Sequence, residues 1–136
     1  MKQLSANHKW TMFMCSLLGL LLMVSISIAY EIQDDDALNK KYAPILGDYE
    51  FDLSGMGGEV IVLKIHVEGG ELWGDSGDGK PVTLEPVEDK EFEFTADDPD
   101  SGALEIKFVK DDEGNYTSCL INLVTMGVEI EGRKIK

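Results

Sequence analysis

The chain has 136 residues, 43% of them hydrophobic, with 26 acidic against 12 basic side chains and a net charge of −14. That size supports one domain with one modest core, and that charge repels phosphate backbones and anionic lipid heads, which argues against binding nucleic acid or a membrane surface. Of two cysteines and two histidines only Cys119 and His66 lie after Ala29, and once the residues before it are removed as a leader these are too few for an intrachain disulfide or a recognisable zinc site.

Residues 1–29 read as a signal peptide. Lys2, His8 and Lys9 give a weakly basic start, an apolar run follows from about Met12 to Ile28, and Ser27-Ile28-Ala29 places small residues where signal peptidase requires them. Cleavage after Ala29 makes Tyr30 the mature N-terminus. The competing reading is an uncleaved anchor in the inner membrane, because the run approaches the roughly 17 to 25 residues that span a bilayer. Cys15 follows Met14 and precedes the Leu-rich stretch, an arrangement unsuited to lipidation, so it belongs to the leader. Every acidic residue lies after Ala29 whereas Lys2 and Lys9 lie before it, so removing the leader takes the net charge from −14 to −16.

Residues 30–47 form a lead-in with a short helix. Asp34, Asp35 and Asp36 suit the N-terminus of a helix from Ala37 to about Tyr42, which Pro44 then stops.

Residues 48–136 form the β-barrel domain, since turn signals recur every ten or so residues between alternating or β-branched segments. Eight strands are expected: Asp48 to Leu53, Glu59 to Val67, Glu71 to Asp75, Lys80 to Val87, Glu91 to Ala96, Ala103 to Lys110, Tyr116 to Val124 and Val128 to Ile135. In the second, Ile61, Leu63, Ile65 and Val67 share one face and Lys64 and His66 the other. In the fifth, Phe92, Phe94 and Ala96 alternate with Glu91, Glu93 and Thr95, the pattern of a half-buried strand. Short connections make neighbours antiparallel. An up-and-down meander without crossover helices removes its edges by closing into a barrel, so the expected fold is all-β: a small antiparallel eight-stranded barrel with a short N-terminal helix.

The order Leu46-Gly47-Asp48-Tyr49-Glu50, Gly70-Glu71-Leu72-Trp73, Leu84-Glu85-Pro86 with Phe92 and Phe94, Ile106-Lys107-Phe108 and Gly114-Asn115-Tyr116 resembles the lipocalin-like β domain of unknown function appended to β-lactamase-related serine hydrolases. The resemblance covers residues 42–136 and implies a β-barrel with a short lead-in helix; it carries no activity. The chain is expected to stand without the catalytic domain that usually precedes this barrel. The Ser-x-x-Lys and Lys-Thr-Gly elements of those hydrolases are missing, Ser76 and Lys80 being one residue too far apart, so any action on such an enzyme would be in trans.

No catalytic residue, cofactor or metal ligand is assigned. His66 is the one histidine after the leader, and none of Ser54, Ser76, Ser101 or Ser118 sits in a nucleophile elbow. Cys119, within Cys119-Leu120-Ile121, reads as a buried small hydrophobe. Asp75-Ser76-Gly77-Asp78-Gly79 superficially resembles a calcium loop, but the twelfth position is Pro86 where a bidentate Glu is needed. Alternate turns of a meander meet at one end, which brings Asp75, Asp78, Asp97, Asp98 and Asp100 toward one rim. Trp73, Phe92, Phe94, Phe108, Tyr49 and Tyr116 either line a cavity or fill the core, and a barrel of eight strands leaves room for little more than side chains. The chain is therefore expected to be a secreted or periplasmic, non-enzymatic accessory or protein-interaction module whose partner is a cell-envelope or secreted protein. The alternative is carriage of a small apolar ligand inside the barrel.

Overall fold

Alternating apolar and polar residues commit much of the chain after the lead-in to strands, and the computed structural model, which describes residues 35–136, joins nine of them in one antiparallel sheet. They are β1 (Gly47–Asp52), β2 (Val60–Glu68), β3 (Glu71–Asp75), β4 (Val82–Thr83), β5 (Glu85–Pro86), β6 (Glu93–Asp98), β7 (Gly102–Lys110), β8 (Tyr116–Leu123) and β9 (Val128–Lys134). The order β4-β3-β2-β1-β9-β8-β7-β6-β5 is a meander whose first and last strands pair, Tyr49 opposite Lys134 and Phe51 opposite Gly132. The sheet thus curls into a nearly closed barrel. Among the described residues no helix is long and apolar enough to cross a membrane; the leader, its cleavage after Ala29 and the anchored alternative lie outside them.

The strand count corrects the expected eight. The segment foreseen as one strand from Lys80 to Val87 divides at Leu84: Val82 and Thr83 pair with β3, and Glu85 and Pro86 pair with β6. Leu84 turns its side chain into the core, 3% exposed, and donates its amide to Leu72 O at 2.8 Å. The chain passes there from one neighbour to the other and forms the barrel's seam.

One further expectation needs correction, and another, the short lead-in helix, is met with a different role for Asp35. The alternation read from Glu91 starts as a strand only at Glu93, because Phe92 has φ +53, a backbone that bulky residues rarely adopt. Its ring instead turns against Tyr116 at 4.9 Å and Tyr42 at 6.2 Å between centroids. Residues 35–42 are helical, as α1, but the Asp35 carboxylate accepts the amide of Gly70 and so fastens the helix to the β2–β3 turn. That turn needs Gly69 and Gly70, at φ +61 and +77, for a two-residue hairpin of the required twist.

The interior is built from the inward side of each strand. Tyr49, Phe51, Ile65, Phe94, Cys119 and, from the lead-in, Ile45 are essentially inaccessible. Phe108 meets Tyr49 at 5.4 Å and Phe94 at 5.9 Å edge to face, a favoured aromatic geometry. Tyr42, from the last turn of α1, packs on Phe94 at 5.7 Å and closes one end of the barrel, where Tyr49 donates its hydroxyl to Ile45 O at 2.8 Å. Gly132 of β9 makes room for the Phe51 ring: a Cβ there would lie 2.4 Å from it.

Candidate functional site

The end away from α1 carries the β1–β2, β3–β4, β6–β7 and β8–β9 connections. Its acidic loops do meet, since Lys80 Nζ of the β3–β4 loop bonds both Asp100 oxygens, at 3.0 and 3.1 Å, in the β6–β7 loop. Of the carboxylates expected on this rim, Asp97 lies exposed in β6 opposite Ala103, and the others are engaged one by one. Asp75 accepts the amide of Gly77 and Asp78 that of Lys80, each at 2.8 Å. Asp98 accepts the Ser101 hydroxyl and, at 3.1 Å, the Ser101 amide. The Ser101 hydroxyl, opposed by partial burial and helped by the amide, holds the Asp98 carboxyl below the usual carboxylate range. The bond to Asp100 raises the Lys80 ammonium above its ordinary value. Among the described residues no three His, Cys, Asp or Glu side chains converge on a metal-sized site.

The same end exposes large apolar side chains that periodicity alone does not single out. Met56 follows β1 in a short 3-10 turn and is 59% exposed; Met126, in the β8–β9 turn, is 60% exposed; and Val60, Ile61, Val62 and Val124 are exposed beside them. The alternation of β2 predicts Ile61 inside with Leu63 and Ile65, yet it is 36% exposed although it pairs with the buried Phe51, whereas Val60 and Val62 face outward as the alternation requires. Because β1 pairs with β9, the β1–β2 and β8–β9 connections lie at the same end of the barrel, and these side chains are the exposed apolar part of that rim on an acidic molecule.

His66 and Trp73 lie opposite one another on the outer face of β2 and β3. Together with Glu68, Glu71, Asp75 and Pro81 they line a groove of about 360 Å³. The Trp73 indole Nε1 donates to Glu68 O at 3.0 Å, and His66 Nε2 is 3.4 Å from the Glu68 carboxylate. His66 Nδ1 is buried without a hydrogen-bond partner among the described residues. No nucleophile completes a triad with it there.

Buried reactive groups are held inert. Desolvation pushes the Cys119 thiol up to about 12, which removes the thiolate needed for reactivity. Burial, with Cys119 adding to it, raises the Tyr49 phenol well above its ordinary value; Lys134, only partly buried, differs, its ammonium being lowered by desolvation while it donates to Pro44 O at 3.2 Å. Of the expected cavity-lining aromatics, Tyr49, Phe94 and Phe108 are buried in the packed core and Phe92 and Tyr116 pack at its margin, whereas Trp73 stands outside.

Comparison of the chain with family models, with curated proteins and with solved structures returns no match.

Proposed function

We propose that this protein is an exported, non-enzymatic interaction module that docks a cell-envelope or secreted protein on the apolar rim formed by the β1–β2 and β8–β9 tips. The observation that carries the reading is the exposure of Met56, Val60 and Met126 at one end of a chain otherwise rich in acidic side chains. Grouped exposed apolar residues mark interaction sites in soluble proteins. The partner is a different protein, because two copies of a chain of net charge −14 repel. The resemblance to the lipocalin-like domain of β-lactamase-related hydrolases belongs to the same proposal, with such an enzyme as one partner class. The leader supports export. Carriage of an apolar ligand has less support, since Phe51, Phe94 and Ile65 occupy the interior and a small barrel has little room beyond its side chains.

The test is site-specific photocrosslinking in the native envelope fraction. Benzoylphenylalanine at Met126 is expected to give one discrete adduct, and the same probe at Glu105, on the outer face of β7, none. Adducts of equal yield at both positions, or none at Met126, would reject the rim as a docking site.

A further inference from the structure

We propose that the groove on the outer face of β2, β3 and β4, walled by Trp73 and His66 and rimmed by Glu68, Glu71 and Asp75, takes an arginine side chain of the docked partner. This rests on the interaction reading and adds to it the chemistry of one contact.

Charge is the first ground. The molecule has 26 acidic residues for 12 basic ones, and among the described residues neither Glu71 nor Asp75 has an ion-pair partner, while Glu68 faces only His66. Lys64 is opposite Asp75 in the strand register, yet makes no ion pair with it within 4.0 Å. One lysine beside three carboxylates leaves the groove negative, and a cation entering it relieves their mutual repulsion.

The aromatic wall is the second. The indole N–H of Trp73 is already committed to Glu68 O, so what Trp73 has left to offer a ligand is its ring. That bond fixes the ring in place before binding, and a fixed aromatic surface is what a guanidinium plane stacks on. The Glu68 and Glu71 carboxylates, opposite one another across β2 and β3, are then suited to accept its N–H donors in charge-assisted bonds. The groove volume of about 360 Å³ lies in the range of small-ligand sites, about 300 to 1,000 Å³.

Continuity is the third. Val60, Val62, Lys64, His66 and Glu68 alternate onto the same face of β2, with Val60 and Val62 belonging to the apolar rim. From Val62 to His66 the strand rises by about 13 Å, so one partner seated on the rim has an arginine within reach of the groove.

The experiment is isothermal titration of the full-length protein with the peptide acetyl-Gly-Arg-Gly-amide and with its citrulline counterpart, which keeps the shape and loses the charge. The arginine peptide is expected to bind and the citrulline peptide to bind at least about tenfold more weakly. Glu71→Gln and Trp73→Leu are each expected to weaken the arginine peptide by about fivefold or more, with Trp73→Phe recovering part of the loss. Equal binding of the two peptides, or affinity unchanged in Glu71→Gln and Trp73→Leu, overturns the proposal. If the Met126 adduct forms but the arginine peptide does not bind, the groove assignment falls and the interaction module stands. If the peptide binds but no Met126 adduct forms, the groove keeps its arginine site and the rim loses its role in docking.

Discussion

Phe94 and Glu93 are adjacent in β6, yet the pleat sends one into the core, 2% exposed, and leaves the other at the surface between Lys107 at 3.4 Å and Lys90 at 3.9 Å. Phe94→Ala is expected to destabilise the fold by about 3–5 kcal/mol, while Glu93→Ala loses ion pairs with two exposed lysines and the partial burial of its own side chain, 26% exposed, about 1 kcal/mol or less. Gly132→Ala belongs with the first, because its new methyl would meet the Phe51 ring at 2.4–2.7 Å and overpacking of this kind costs about 1–3 kcal/mol or more. Urea denaturation of the three variants checks the set, and equal effects at positions 93 and 94 would reject the β6 register. Phe94 was legible from its alternation with charged neighbours. Gly132 was not, because what makes it necessary is a ring on a strand distant in sequence. The left-handed backbone of Phe92 was hidden for a similar reason: its contacts with Tyr42 and Tyr116 override the local pattern.

Between residues and the whole barrel, the turns decide how strands join. The ends of β1, β2 and β3 were readable to within a residue, because glycine-rich connections interrupt a clear alternation there. The division of the fourth expected strand at Leu84 was not, since it depends on which neighbour each half pairs with. The β6–β7 loop offers a test with a defined sign. The Ser101 hydroxyl keeps the Asp98 carboxyl below its ordinary pKa, so this contact stabilises the fold fully above the unfolded value, about 3.9. As pH falls below that value the unfolded chain takes up the proton first, and the contribution fades until the folded carboxyl is protonated as well. Ser101→Ala should therefore lower the melting temperature at pH 6 and converge with the parent protein toward pH 2. A deficit that stays constant across this interval would show that Ser101 acts through packing instead.

At the scale of the molecule, closure through β1 and β9 and an acidic surface were both legible, the first from the meander and the second from composition. The apolar rim was legible only in part: the alternation of β2 turns Val60 and Val62 outward, whereas the exposure of Ile61 on the inward side, and of Met56, Val124 and Met126 in the turns, is not written in it. The rim carboxylates also behave differently from their expected convergence. The loops approach, as the Lys80–Asp100 pair shows, but Asp75, Asp78 and Asp98 are turned to their own loops' donors. A calcium ion would have to displace those donors before gathering ligands. Added salt should raise the melting temperature by screening the repulsion of a chain with net charge −14, and calcium at matched ionic strength should do no more than sodium. A dedicated site would announce itself differently: at 100 times its dissociation constant, a ligand adds about 2.7 kcal/mol of stability by mass action. A calcium-specific rise in melting temperature that Asp98→Asn abolishes would therefore place a metal site on this rim and displace the interaction module as the leading function.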